Sequence, residues 1–170
     1  MPRPQNGEFA PYFQRYIDYV KADSLSEAIA NYEDDIHSFY NQLPDEKANY
    51  FYDEGKWTVK ELLQHVIDAE RVFSYRVLWI ARKDTAPLPS FDEKNFAKNS
   101  FANTRTLNSL KEEFNAEHKS TLLLLKSFNE EQLQQKGIAG EKEISVNALG
   151  FIIYGHLLHH KKVLLEKYLL

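Results

Sequence analysis

Three of the chain's six histidines fall within five residues, His156-Leu157-Leu158-His159-His160, among apolar neighbours. An α-helix advances about 100° per residue, so positions 156 and 160 differ by about 40° around the axis and lie about 6 Å apart along it. Both imidazoles can then converge on one ion. His159 points about 100° away from His160 and is not expected to join them. Any one histidine alone reads more simply as a core or rim residue with satisfied hydrogen bonds. Two buried imidazoles at ligand spacing shift that balance, because burial without partners is costly and neutral imidazole is a common metal ligand.

His65 offers a third nitrogen from another amphipathic stretch, on the flank of the stripe that holds Leu62, Ala69 and Val72. Three protein ligands leave one coordination position for water or substrate, the arrangement of catalytic rather than closed structural zinc sites. The expected chemistry is activation of a small nucleophile. The spacing of His156 and His160 matches the zincin pattern H-E-x-x-H, but Leu157 stands where that motif needs its glutamate, so a zincin protease is excluded. Another base is then needed, and Asp68, one turn beyond His65, is the nearest carboxylate in sequence; its alternative reading is a hydrogen bond behind the ligands or a solvated face. His118, between Phe114 and Leu122 on an apolar stripe, could line the interior of the same helical bundle, whereas His37 reads as surface.

These side chains require helices to position them. Ser24 followed by Glu27 reads as a capping box, and Leu25, Ile29, Tyr32, Ile36, Phe39, Tyr40 and Leu43 continue a first helix that ends before Pro44. Pro11 to Val20 reads as a short amphipathic lead-in. Thr58 followed by Glu61 starts a second helix that runs to about Arg82. Leu107 to Leu125 forms a third, and Ser145 starts a fourth, apolar on nearly every side. Gly150 and Gly155 within this last helix point to close packing.

Between the second and third helices, Lys83 to Asn103 has no sustained period and holds Pro87 and Pro89, which reads as a long, lid-like connection. Asn129 to Glu143, with Gly137 and Gly140, reads as a turn region or small hairpin. The fold expected is an all-α four-helix bundle with a long crossover connection between helices two and three, in one domain spanning 1–170.

Composition narrows the function classes. With 43% hydrophobic and 27% charged residues the chain is a folder, not a disordered segment. Cysteine is absent, which removes disulfides, thiolate ligands and a cysteine nucleophile, and fits a reducing cytoplasm. A net charge of −4 gives no general attraction to a polyphosphate, so no nucleic-acid partner is expected. No run is apolar enough for a membrane span, and Met1 to Ala10 does not read as a signal peptide.

The chain resembles the DinB family of damage-inducible, metal-dependent helical proteins over most of its length. The likeness rests on Lys56-Trp57-Thr58-Val59-Lys60-Glu61 leading into His65-Val66-Ile67-Asp68-Ala69-Glu70-Arg71, on Pro87-Leu88-Pro89-Ser90-Phe91-Asp92, and on Gly155-His156 through His160. The resemblance implies a four-helix bundle with a long crossover, and zinc or nickel held by His65, His156 and His160. It further implies a frequent homodimer, and thiol-dependent transferase or isomerase chemistry with low-molecular-weight thiols. Many relatives carry an acidic residue where this chain has Leu157 and an arginine near the place of His118, so substrate handling differs. Two functions remain open: a metalloenzyme acting on a small molecule by hydrolysis or group transfer, or a non-catalytic metal-binding or dimerising bundle in a stress response.

Overall fold

A computed structural model describes residues 1–170. Each long helix opens on a side-chain cap, which satisfies backbone donors that the first turn would otherwise leave free. Ser24 starts α2 (Leu25–Asn41) by accepting from the Glu27 amide. The Glu27 carboxylate returns to the amide of Asp23, not to that of Ser24, so the expected capping box is displaced by one residue. Thr58 and Glu61 make both halves of the box at the start of α3 (Val59–Ala81). Thr106 caps α5 (Leu107–Lys126) and Ser145 caps α7 (Val146–Val163). Helix α7 continues into a π-helical turn, Leu164–Tyr168.

These four helices form the bundle. Helix α2 packs on α5 and α7, and α3 packs on the same two from the opposite corner. Residue contacts fix the directions. Lys60 reaches Asn103 and Arg105, Arg71 reaches Glu113, and Ser74 reaches Glu117, so α3 and α5 climb together and are parallel. Helices α2 and α5 run in opposite senses, since Lys111 donates to the Leu43 carbonyl while His118 meets Glu33. Helices α2 and α7 are parallel, with Leu25 at Gly150, Glu33 at Tyr154 and Tyr40 at Leu157. The order is therefore up, down, down, up. Two consecutive parallel helices require the chain between them to travel back along the bundle, which is the role of the connection from α3 to α5.

That connection is more ordered than its sequence suggested. It holds α4 (Glu93–Asn99), capped by Asp92, and a 3₁₀ turn, Ala102–Thr104. Upstream, Leu88 exchanges backbone hydrogen bonds with the hairpin β1 (Lys136–Ala139) and β2 (Lys142–Ser145): its amide donates to the Ile138 carbonyl and its carbonyl accepts from the Gly140 amide. A short α6 (Glu130–Gln134) precedes the hairpin.

The lead-in is a 3₁₀ turn, Pro11–Phe13, followed by α1 (Gln14–Tyr19), which lies across α7. Gly155 permits this. A Cβ on Gly155 would stand 2.0 Å from the Tyr16 carbonyl oxygen, so only the bare backbone allows α1 so near. The core extends from Phe9 to Tyr168 and includes Ile17, Tyr40, Leu63, Ile67, Leu110, Phe114 and Phe151.

Candidate metal centre

Helices α3 and α7 run antiparallel and bring His65 to the pair on α7. The Nε2 of His156 lies 3.2 Å from Nε2 of His65 and 3.1 Å from Nε2 of His160, and all three rings are buried. A neutral imidazole nitrogen is either donor or acceptor, so three Nε2 atoms aimed at one another cannot all be satisfied by each other. Zinc bound at 2.0–2.1 Å in tetrahedral geometry would separate its nitrogen ligands by about 3.4 Å. The observed separations are close to that value, and the donor set is one that a divalent ion accepts.

Burial also prepares the rings electrically. It holds His65 down to about 4, with nearby His159 adding to the effect. Burial lowers His156 and His160 well below the ordinary histidine range, each lowered further by the neighbouring imidazoles. All three are neutral at neutral pH, the state in which imidazole binds metal. Aromatic rings enclose them: Trp57 lies 4.8 Å from His65, Tyr16 5.4 Å and Phe73 5.8 Å from His156, between ring centres. Tyr168, in the π turn, donates to the Trp57 carbonyl at 2.9 Å and so anchors the Trp57 backbone.

A cavity of about 440 Å³ opens beside the triad, within the range of small-molecule sites. Its walls come from α1, from α3 and α7, from the connection at Ser90 and Phe91, and from the hairpin at Ala139 and Gly140. Arg15, Arg76 and Lys142 bring positive charge to it, and Glu93 is the carboxylate on its wall. No pattern in the sequence pointed to Lys142 or Glu93, which reach the cavity only through chain reversals. Arg76 had a legible signal. It lies eleven residues after His65, which is about 20° around the helix, and so belongs to the same face.

Asp68 does not meet the triad and does not line the cavity. Its carboxylate accepts from Gln64 Nε2 at 2.9 Å and lies 3.9 Å from Arg71, on the side of α3 that faces α5. Burial pushes its pKa up, opposed by the Gln64 hydrogen bond and Arg71. His159 is half-buried on the cavity wall, 3.4 Å from the Tyr19 hydroxyl, and stays out of the triad. His37 is exposed.

His118 is buried in the bundle interior, as its apolar stripe suggested, but it does not join the triad. Its Nδ1 lies 2.8 Å from Glu70 Oε1, its Nε2 3.2 Å from Glu33 Oε2, and its ring stacks on Phe114 at 5.3 Å. Tyr154 donates to the same Glu33 oxygen at 2.7 Å. Glu70 is about 140° around α3 from His65, and Tyr154 about 200° around α7 from His156, so this second polar cluster occupies other faces of the same helices. Burial alone would lower the His118 pKa, but Glu70 and Glu33 outweigh it and raise the value to about 10.

Comparison with known proteins finds relatives in sequence and in fold. Two curated relatives, each named as a candidate metal-dependent hydrolase, come from Oceanobacillus iheyensis and Geobacillus kaustophilus. The first is 31% identical over 70 residues, covering 41% of this chain and 40% of the relative. The second is 32% identical over 71 residues, covering 42% and 40%. The chain thus matches less than half the length of these curated relatives. In fold, it is similar to YfiT from Bacillus subtilis, described as a candidate metal-dependent hydrolase with an unusual four-helix bundle topology; the TM-score is 0.69 with 18% identity, over 96% of this chain and 89% of that one. The family model of the DinB superfamily matches residues 29–164, from within the first long helix to the end of the last. The chain belongs to the DinB superfamily.

Proposed function

We propose that the protein is a metal-dependent enzyme that binds one divalent ion through Nε2 of His65, His156 and His160 and acts on a small molecule in the adjoining cavity. The observation that carries this reading is the convergence of three buried, neutral imidazole nitrogens at the wall of an open cavity. Zinc or nickel suits the donor set. Bound there, the ion would lower the pKa of water or of a thiol and polarise an electrophile, supporting hydrolysis or group transfer.

The chain's own residues supply the rest. Trp57, Tyr16 and Phe73 set their rings against the triad and form apolar parts of the cavity wall. The Tyr16 hydroxyl accepts from Arg15 at 2.7 Å, and burial pushes its pKa up to about 12, so it keeps its proton. Glu93 is the carboxylate that lines the cavity, where Asp68 does not, and is the candidate proton acceptor. Because the chain has no cysteine, a thiol would enter as a low-molecular-weight cosubstrate. The names of the curated relatives favour hydrolysis, whereas the resemblance in sequence favours thiol transfer.

Metal analysis of protein purified without chelator, followed by a panel of small electrophiles with and without low-molecular-weight thiols, tests the reading. Turnover that needs thiol and is lost in His160→Ala supports transfer; thiol-independent turnover supports hydrolysis. Equal inertness of the metal-loaded protein and the variant would favour a non-catalytic bundle. A homodimer is part of the same proposal, and a monomeric mass at micromolar concentration would remove it.

A further inference from the structure

Arg76 is a buried cation without a counter-charge. It is 6% exposed, and no carboxylate lies within ion-pair distance. Its one protein acceptor is the Pro89 carbonyl, 2.6 Å from Nη2, and its guanidinium lies 6.0 Å from the centre of the Phe91 ring. A guanidinium carries five N–H donors, so most of its capacity is unused by the protein. The other buried or paired cations are served differently: Arg71 and Arg105 both meet Glu113, and Lys60 donates to two backbone carbonyls. Burial lowers the pKa of Arg76 with no opposing contribution.

Leaving a buried charge unpaired opposes folding, and such groups are normally paired or bound to an ion. Arg76 lines the triad cavity, on the face of α3 that carries His65. The rim adds Arg15 and Lys142, both exposed and neither paired with a carboxylate, against the one carboxylate of Glu93. This concentration of positive charge occurs in a chain whose net charge is −4. The planar fork of arginine matches a carboxylate or phosphate, and Phe91, with Phe73 packed against it, offers apolar surface beside it.

We propose that the cavity takes an anionic substrate, whose carboxylate or phosphate group is received by Arg76 while an apolar portion lies against Phe73 and Phe91. The proposal rests on the cavity being the reaction site, and it names the class of molecule admitted there. Arg76 is then the residue that determines specificity, with Arg15 and Lys142 steering charge toward the opening.

Binding of 4-phenylbutyrate, phenyl phosphate and the neutral 4-phenylbutyramide is measured by calorimetry, on zinc-loaded and on chelator-treated protein. Wild type is expected to prefer at least one anion over the amide by about tenfold or more in both preparations. Comparing the two anions separates a carboxylate site from a phosphate site. Arg76→Met should abolish the preference, Arg76→Lys should keep part of it, and Arg82→Met, outside the cavity, should leave it intact. Free Arg76→Met should melt no lower than wild type, since it removes an unpaired buried charge; if it does not fold, Arg76→Lys with the wild-type comparison decides. Zinc binding without any anion preference, including no measurable binding at millimolar concentration, overturns this inference and leaves the metal reading standing. An anion preference that survives Arg76→Met also overturns it, since the ion or another residue would then hold the anion. An Arg76-dependent preference in protein that retains no zinc supports the anion site and overturns the metal reading alone.

Discussion

The backbone carbonyl of Tyr16 occupies the space that any side chain at Gly155 would need, 2.0 Å from where its Cβ would stand. Gly155→Ala must therefore push α1 away from α7, and both carry walls of the cavity. The expected loss is about 2–4 kcal/mol in a urea titration. Gly150 is the control. There the nearest atoms belong to the Leu25 side chain, which can turn aside, so Gly150→Ala should cost less than half as much. Equal losses at the two positions would argue against the backbone contact.

Replacing His65, His156 or His160 by alanine should each remove stoichiometric zinc or nickel, since two imidazoles are too few to hold the ion firmly. His159→Ala and His37→Ala should retain it. Competition with a coloured chelator reads both arms. Full retention in any of the three ligand variants would reject the assigned set. Added zinc should raise the wild-type melting temperature and leave the variants unmoved, because a ligand stabilises only the state that binds it.

The His118 cluster predicts an alkaline loss of stability. Its folded pKa is raised, so the stabilisation is fully present below its unfolded value of about 6.5 and disappears as pH rises through about 10. Melting temperature measured from pH 7 to pH 11 should fall across this window beyond the decline seen in His118→Gln. That variant should itself lose about 3–5 kcal/mol at pH 7, because it leaves the buried Glu70 and the half-buried Glu33 without their cation. A pH profile parallel to that of the variant would show that His118 is neutral in the fold.

Much of this was legible from spacing. The interval of four placed His156 and His160 together, and Thr58 with Glu61 located the start of the helix that carries His65. Periodicity gives the face of a helix but not the neighbour that face will meet. His118 and His65 both sit on apolar stripes, yet one faces two glutamates and the other two histidines. Asp68 illustrates the same limit, since closeness to His65 in sequence still left it on the side toward Arg71. The residues contributed by the connection and the hairpin depend on one backbone exchange, where Leu88 meets the strand that ends at Ala139. Those two segments are remote in the chain, and no local pattern encodes their pairing.

That exchange at Leu88 divides the labour of the molecule. The histidines ride on α3 and α7, whose packing is the core itself, while the outer cavity wall is a hairpin tip stitched to a returning strap. Substitutions or length changes near Ser90, Gly140 and Lys142 can reshape what the cavity admits while leaving the helices that hold the three imidazoles undisturbed. One scaffold can in this way diversify its choice of small molecule through a handful of surface residues, with its inner chemistry inherited unchanged.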